Sequence, residues 1–345
     1  MKYLLFLFSI AVILGSCTRV KTDRNFPALE DDDVTQLTAA QITWLEQLAV
    51  QKRDSMRIAD SIASLTGVVD TNSLFYKKNM MVAVVEVNNH YFPNVLYFQD
   101  SATGKSIFDL AFPFSANLNI DLNTGKPYVS YNDQHKAMIR LGVFDKVRNG
   151  GVPVGLSLLG NHDAAGFNNF ASVADATEFA QKIAFEVRQK KFAALLTDDE
   201  YSQGPSQTPL SNSYVVLMSE IKRLLPDIFL CYYAYGGGSG EYNGKQLGDI
   251  VDAEFGAYYP QFNGPVFNAP PGKWFPSCSE TAGGFSNVPT TIINAKAAGY
   301  RGFMFYNVWK NTSFYAPYAK DLKGITVVSP PGTINSNQYD FINGQ

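Results

Sequence analysis

Three consecutive acidic residues, Asp198, Asp199 and Glu200, end a short apolar run and are the side chains best suited to chemistry in this sequence. If the run is a β-strand, Asp198 and Glu200 point to one side, with Cβ atoms roughly 6–7 Å apart, and Asp199 points to the other. Two such carboxyl groups can hold different protonation states, because the charge on one raises the pKa of the other. The pair therefore suits acid-catalysed hydrolysis of a glycosidic bond, and a solvated exit from a strand is the alternative.

Alternating strand-like and helix-like segments follow Met80 and must position these acids. Strands are predicted at Met81–Val87, Leu110–Ile120, Val152–Leu159, Ala193–Asp198, Ile228–Tyr233, Ala253–Tyr259, near Trp274–Ser279 and at Gly302–Tyr306, and helices at 134–148, 174–190, 211–225 and 289–298. About eight strands alternating with helices over about 250 residues predict an α/β fold, a (β/α)8 TIM barrel. An open doubly wound sheet is the alternative, but its first glycine-rich phosphate turn is missing, and the run 236–240 lacks that pattern.

Barrel geometry would collect further polar side chains around the acids, because active sites of this fold lie at the C-terminal ends of the strands. The side chains expected there are Asn161, His162, Tyr233, Tyr235, Tyr258, Tyr259, Tyr306 and Asn307. We expect one of the adjacent Tyr258 and Tyr259 to line the cleft, and either Trp274 or Trp309 to be available for sugar stacking. Without a basic cluster, this ring predicts a neutral, hydroxyl-rich ligand such as a sugar.

The first residues resemble an export signal. A basic start and an apolar run too short to span a bilayer lead to Leu14-Gly15-Ser16-Cys17, which resembles the lipobox of bacterial lipoproteins. We expect residues 1–17 to be removed up to Cys17, whose lipid would anchor an exported protein at the outer membrane or cell surface. An ordinary signal peptide is the alternative. Residues 18–78 are predicted to be a linker plus an amphipathic helix at 39–65, residues 79–330 the barrel, and residues 331–345 a tail.

Composition narrows the remaining possibilities. The net charge of −3, with scattered signs, does not indicate a nucleic-acid partner. Cys231 and Cys278 lie in apolar stretches and could pair or remain buried thiols. No Cys/His cluster has zinc-like spacing, so no metal or organic cofactor is expected, and we expect a monomer. Aromatic residues make up 14% of the chain, which fits a large core or a sugar-binding cleft.

Several blocks, in one order from about Met80 to Lys323, resemble glycoside hydrolase family 18, and within it the endoglycosidase H and F1 type of endo-β-N-acetylglucosaminidase. The blocks are Val84–Asn89, Phe114–Asn119, Leu156–His162 with Ala165–Phe167, Asp198–Tyr201, Pro226-Asp227 and Tyr306-Asn307. The first block carries Glu86, which we expect to contact substrate. Many blocks in the same order are far more specific than the acidic triplet alone.

The resemblance implies hydrolysis of the β-1,4 bond between the two core N-acetylglucosamines of an asparagine-linked glycan. By position, Glu200 corresponds to the general acid, and Asp198 to the residue that orients and stabilises the substrate's 2-acetamido group. The acetamido oxygen itself attacks the anomeric carbon, so the enzyme supplies no nucleophile. Tyr233 matches the tyrosine that hydrogen-bonds the acetamido carbonyl, and a charged Asp198 would help Glu200 keep its proton.

The chain also departs from the family's pattern. The Asp-Gly that begins the pattern is here Ala193-Ala194, and its next acidic position is Leu196. Thr197 replaces an aromatic residue, Ala234 follows Tyr233, and Gly256 stands in place of an asparagine. Inward polar neighbours normally fix the rotamer and charge of a residue such as Asp198. A non-catalytic glycan-binding protein on the same barrel is therefore the alternative function. A chitinase of the broader family is disfavoured because the matching blocks follow the endoglycosidase type.

Overall fold

The structure is a computed structural model that describes residues 33–160, 162–204 and 207–329. The predicted signal with Cys17, the residue Asn161 and the predicted tail 331–345 lie outside the described residues. The strands are β1 (Met80–Glu86), β2 (Gln99–Asp100), β3 (Leu110–Phe114), β4 (Ala116–Asp121), β5 (Lys126–Ser130), β6 (Gly155–Gly160), β7 (Ala194–Asp198), β8 (Phe229–Ala234), β9 (Ala253–Gly256), β10 (Trp274–Phe275), β11 (Ser277–Ser279), β12 (Gly302–Tyr306) and β13 (Val327–Val328). The helices are α1 (Ala39–Thr66), α2 (Asp133–Arg140), α3 (Val143–Asn149), α4 (Val173–Gln189), α5 (Ser213–Leu224), α6 (Leu247–Ile250), α7 (Val288–Ala297) and α8 (Thr312–Lys323), with 3-10 turns at Phe92–Leu96 and Pro271–Lys273.

Eight strand positions follow one another in a TIM-barrel-like ring of parallel strands. One arc runs β11-β12-β1-β3, and the other runs β10-β9-β8-β7-β6-β4, with β5 antiparallel at its edge. The arcs meet where one strand position is divided: β3 pairs with β1 whereas β4 pairs with β6, and β10 pairs with β9 whereas β11 pairs with β12. The fold class is thus α/β and barrel-like.

A closed hydrogen-bonded barrel, as the sequence predicted, is not formed by the described strands. Single residues divide the two interrupted positions, Ser115 between β3 and β4 and Pro276 between β10 and β11. Pro276 has no backbone N–H, and neither has Pro113 in β3, so neither residue can donate to a ladder. The predicted continuous strands Leu110–Ile120 and Trp274–Ser279 therefore each consist of two short strands.

The strands form because alternate positions face two different apolar environments. The ring interior is filled from β1, β3, β7, β8, β9 and β12, by side chains including Met80, Val82, Val84, Leu110, Phe112, Ala194, Leu196, Phe229, Cys231, Ala253, Phe255 and Met304. The intervening residues pack outward under the helices, as Leu195 of β7 and Leu230 of β8 do. This alternation places Asp198 on the same parity as Leu196 and Ala194, towards the interior.

Gly142 divides the helix that was predicted over 134–148. It adopts a left-handed backbone conformation with φ of 63°, and α2 ends before it while α3 begins after it. Glycine enters this conformation without the penalty that a Cβ atom imposes. The other helix predictions correspond to α1, α4, α5 and α7.

Helix α1 packs against the outside of the ring, an outcome that the sequence left open. It begins at a capping box formed by Thr38 and Gln41. The Trp44 ring lies edge-on to Phe185 of α4, with centroids 6.3 Å apart, and Arg223 of α5 makes a two-pronged ion pair with Glu46. The amphipathic helix predicted within residues 18–78 is therefore packed on the barrel-like domain.

The base of the ring is closed by the residues between α1 and β1. Leu74 and Phe75 pack against the interior cluster, and the Phe75 ring lies 5.8 Å from that of Phe229. Arg301 Nη1 donates a hydrogen bond to the Phe75 carbonyl oxygen. The open mouth of the ring therefore lies at the opposite end, where β7 and β8 terminate.

Candidate active site

Asp198 is the last residue of β7, and Glu200 lies two residues beyond it in a bend. The strand therefore does not itself place both side chains on one face, as the sequence analysis assumed. Asp198 is 1% exposed, and its Oδ1 atom has no hydrogen-bond partner among the described residues. Burial raises the pKa of Asp198 well above its usual range, and the neighbouring charges of Glu200 and then Asp199 raise it further.

The surroundings of Asp198 favour its protonated form. The family resemblance implied a charged Asp198 at this position. A group that donated a hydrogen bond to Asp198 Oδ1 would stabilise the carboxylate and release this proton to its neighbour.

Tyr233 and Tyr259 bring hydroxyl groups to the same interior. Tyr233, on β8, is buried in the interior cluster, as the sequence predicted for a residue at this strand end. Tyr259 lies in the segment after β9, and its hydroxyl is buried without a hydrogen-bond partner in the described part of the chain. Burial is the main cause of the raised pKa of Tyr259, and smaller contributions come from Tyr306, then Asp198, then Glu200. The ring of Tyr259 therefore lies close to the acid pair.

Tyr306 and Glu86 form the wall opposite. The rings of Tyr306 and Tyr259 stack with centroids 5.2 Å apart and planes 8° apart, and the Tyr306 hydroxyl donates to Glu86 Oε2 at 3.0 Å. Burial raises the pKa of Tyr306, followed by the charge of Glu86. Both residues were predicted at the site, and the structure brings them together.

Tyr235 and Tyr258 form an exposed pair at the rim. Their ring centroids are 5.6 Å apart, and Tyr258 is 62% exposed. The charge of Glu200 is the main cause of the raised pKa of Tyr235, so the pair adjoins the general-acid candidate. Tyr258 thus lies at the rim while Tyr259 lines the interior, and both adjacent tyrosines belong to the site.

His162 and Tyr201 extend the rim on the other side of Glu200. The His162 ring lies 4.9 Å from that of Tyr201, and the His162 backbone N–H donates to the Tyr201 carbonyl oxygen at 3.1 Å. A hydrogen bond to Glu200 raises the pKa of Tyr201. Sequence reasoning placed Tyr201 only within the acidic block, and its position next to Glu200 was the signal available for its role.

Asn307 and the two tryptophans do not present the surfaces that were expected. Asn307 Nδ2 donates to Thr281 Oγ1 at 2.9 Å, so the side chain holds a neighbouring loop. Trp274 is fully buried at the start of β10. Trp309 stacks on His90 with centroids 4.7 Å apart and lies under the Lys310 ammonium, so neither tryptophan offers a free ring face.

Glu280 is an organising residue that the sequence analysis missed. Its carboxylate accepts the backbone N–H groups of Trp309, Lys310 and Asn311 at 2.7–2.9 Å and the hydroxyl of Tyr315. It thereby fixes the loop between β12 and α8. Its position directly after β11, at a strand's C-terminal end, was the only signal that could have indicated it.

The described residues contain no group of three or more His, Cys, Asp or Glu side chains that could hold a metal ion. Cys231 and Cys278 are buried free thiols within the described part of the chain. The mouth holds the buried Asp198 carboxyl group with Glu200 close to it, surrounded by tyrosines. It is suited to holding a polar neutral ligand and transferring one proton to it.

The chain is similar to proteins of known activity. No family model matches the chain. An endo-β-N-acetylglucosaminidase from Flavobacterium sp. (strain SK1022) is 31% identical over 240 residues, which are 66% of this chain and 74% of that protein. Endo-β-N-acetylglucosaminidase F1 from Elizabethkingia meningoseptica is 29% identical over 265 residues, 73% of this chain and 76% of that protein.

Solved structures agree on the fold. EndoBT-3987 from Bacteroides thetaiotaomicron, solved with a Man5GlcNAc product, superposes with a TM-score of 0.67 at 24% identity. The match covers 75% of this chain and 65% of that one. The protein is a glycoside hydrolase. Within that class, the chain belongs to the endo-β-N-acetylglucosaminidases of glycoside hydrolase family 18.

Proposed function

We propose that this glycoside hydrolase cleaves the β-1,4 bond of the chitobiose core of asparagine-linked glycans. The curated relatives are named endo-β-N-acetylglucosaminidases, and EndoBT-3987 has also been solved with a Man9GlcNAc2Asn substrate. The observation that carries the proposal is the buried Asp198 Oδ1 atom, which lacks a hydrogen-bond partner among the described residues and lies beside Glu200. A buried acceptor of this kind is costly unless a ligand satisfies it.

The substrate's 2-acetamido group is the donor that fits this acceptor. Its N–H would donate to Asp198 Oδ1, which favours the carboxylate, so the proton of the pair would move to Glu200. The acetamido carbonyl oxygen then attacks the anomeric carbon while Glu200 donates its proton to the leaving oxygen, and the glycosidic bond breaks. The cyclic intermediate is opened by water, which Glu200 deprotonates, so that the anomeric configuration is retained.

The tyrosines supply positioning rather than proton transfer. Tyr233 is the candidate donor to the acetamido carbonyl, and the Tyr259 hydroxyl, unpartnered among the described residues, can take a substrate hydroxyl. Glu86 and Tyr306 hold each other and can accept and donate to further hydroxyls. The exposed ring pair at the rim offers apolar faces to pyranose rings.

The active-site test compares wild type with Glu200→Gln, both lacking residues 1–17, on a high-mannose glycoprotein. Wild type should leave one N-acetylglucosamine on asparagine, as seen by mass spectrometry of the product. Glu200→Gln should lose at least ~10²–10⁴-fold in kcat because the general acid is gone, yet still bind the glycan.

Asp54→Asn on α1 is the control. Its carboxylate pairs with Arg57 of the same helix in an exposed ion pair, and such a pair contributes little, so turnover should be unchanged. Glycan binding by wild type without turnover at any pH from 4 to 8 would instead favour a non-catalytic glycan-binding protein.

We further propose that the mature protein is a monomeric, lipid-anchored exported protein attached through Cys17. The lipobox-like Leu14–Cys17 supports this, and it lies outside the described residues. Among the described residues, no helix has the length and apolar character needed to span a bilayer. Mass spectrometry of the N-terminal peptide should find acylated Cys17, and Cys17→Ala should move the protein from the membrane fraction to the soluble fraction.

A further inference from the structure

We infer that Asp199, the middle acid of the triplet, is a positioning residue that clamps the turn carrying Glu200 and places a fixed negative charge beside Asp198. The inference rests on the proposed function, since it concerns the same acid pair. It assigns a task to the one acidic side chain of the triplet that the mechanism above does not use.

Both carboxylate oxygens of Asp199 are engaged. Asn168 Nδ2 donates to Oδ2 at 2.7 Å, and the Ser202 hydroxyl donates to Oδ1. Asn168 lies in the loop that follows β6, and Ser202 lies three residues beyond Asp199. The carboxylate therefore ties the segment after β7 to the segment after β6.

Three glycines leave the room that this clamp needs. A Cβ atom at Gly160 would lie 2.1 Å from Ser202 Oγ, and one at Gly166 would lie 2.6 Å from the Ser202 side chain. A Cβ atom at Gly237, where φ is 75°, would lie 2.3 Å from Asn168 Nδ2. The two donors of the clamp are thus packed against backbone, which restricts their movement.

Backbone hydrogen bonds reinforce the same connection. The His162 N–H donates to the Tyr201 carbonyl oxygen at 3.1 Å, and the Gln203 N–H donates to the Asp163 carbonyl oxygen at 2.7 Å. Glu200 therefore lies between Asp199, whose side chain is held to the loop after β6, and Tyr201, whose backbone is held to the same loop. Its carboxyl group needs such support, because it lies beyond the end of β7.

The charge of Asp199 acts on Asp198 as well. Both Asp199 oxygens accept hydrogen bonds from neutral donors, and the charge of Asp199 is one of the causes that raise the pKa of Asp198. The charges of Glu200 and Asp199 raise the pKa of Asp198. The charge of Asp198 in turn raises the pKa of the surrounding tyrosines, which are Tyr201, Tyr214, Tyr232, Tyr235, Tyr259 and Tyr306. Glu86 raises the pKa of Tyr306 as well. No cation is among these described groups, so the negative charge of Asp199 is not offset locally.

The decisive variant is Asp199→Asn, which keeps the shape of the side chain and removes its charge. An amide can still accept from Asn168 and donate to the Ser202 hydroxyl, so kcat should stay within a few-fold. Both limbs of the pH–rate profile should move to lower pH by roughly half a unit, because each ionisation of the acid pair loses one repelling charge. Asp54→Asn, on the exposed part of α1, should leave the profile unchanged.

Ser202→Ala separates positioning from charge. It removes one anchor and keeps the carboxylate, so it should lower kcat by about tenfold while KM changes by less than about twofold and the limbs of the profile stay in place. Asn168→Ala should behave in the same way. If Asp199→Asn does not fold, these two variants still test the clamp through the split between kcat and KM.

A carboxyl-carbon NMR titration of aspartate-labelled protein tests the charge without any turnover. The Asp198 resonance should titrate at lower pH in Asp199→Asn than in wild type. The inference would be overturned if Asp199→Asn shifted neither the limbs of the pH–rate profile nor the pH midpoint of the Asp198 titration. The proposed function would be unaffected by that result. A wild-type protein without turnover would defeat the proposed function, and the titration would still decide the role of Asp199.

Discussion

Glu254 gives the protein a calculable dependence of stability on pH. It lies in β9, is fully buried and faces away from the ring interior, where Phe255 and Ala253 point. Its Oε2 atom accepts the Val266 N–H at 2.8 Å, and its Oε1 atom has no partner among the described residues. Burial raises the pKa of Glu254 from 4.5 to about 7, despite opposing effects of the Val266 hydrogen bond and of Lys273.

The sign follows from proton linkage. A carboxyl group whose pKa is higher in the folded state contributes stability that is fully present below the unfolded pKa and is lost as the pH rises through the folded pKa. For Glu254 the loss falls between about pH 4.5 and pH 7. At about 1.4 kcal/mol per pKa unit, the whole range corresponds to about 3.5 kcal/mol, of which about 2.5 kcal/mol is lost between pH 5 and pH 8.

Glu254→Gln is the matching perturbation, because glutamine resembles the protonated acid and retains an oxygen for the Val266 N–H. Its free energy of unfolding relative to wild type should therefore rise by about 2.5 kcal/mol when urea denaturation is repeated at pH 8 instead of pH 5. Equal differences at the two pH values would refute the reasoning, since they would mean that Glu254 titrates alike in the folded and unfolded chain.

Two further pairs of substitutions test the packing of α1 and the packing of the loop beside the site. Trp44→Ala should lower the free energy of unfolding by about 3–5 kcal/mol in thermal or urea denaturation, since the buried ring anchors α1, whereas Leu65→Ala, at a position 77% exposed, should change it by less than about 0.5 kcal/mol. Gly237→Ala and Gly244→Ala should each lower the free energy of unfolding by about 1–2 kcal/mol, because both glycines have positive φ angles. Only Gly237→Ala should also lower kcat, because only its Cβ atom would press on Asn168. Equal kcat values for the two variants would show that this contact is unimportant.

Much of the site could be predicted from the sequence because parallel strands bring their C-terminal ends to one edge. That rule alone places Asp198, Tyr233 and Tyr306 at a common mouth, and the structure brings Tyr306 to Glu86 and the acid pair to Tyr259. The inward parity of Asp198 also followed from strand alternation. Family resemblance then supplied the chemical roles, which spacing alone does not determine.

Other features depend on contacts between residues distant in the chain, and no local pattern carries them. Two strand positions are divided, into β3 and β4 and into β10 and β11, because the two halves of each pair with different neighbours. Pro113 and Pro276 were the only local signals of this division in the sequence. Burial by surrounding elements, not spacing, gives Asp198 the raised pKa. The burial of Trp274 and the loop held by Glu280 likewise become visible only when the elements are assembled.

The contacts that hold the start of the described chain against the domain limit the distance between the domain and a membrane anchor. The described structure begins at residue 33, where Asp33 already accepts a hydrogen bond from the Tyr131 N–H and pairs with Lys136. If Cys17 carries the proposed anchor, only residues 18–32 separate lipid from the packed domain, and even fully stretched they would reach at most about 50 Å. Glycans could then be trimmed only on proteins that approach the bilayer surface closely, and lengthening this tether should widen the range of accessible glycoproteins.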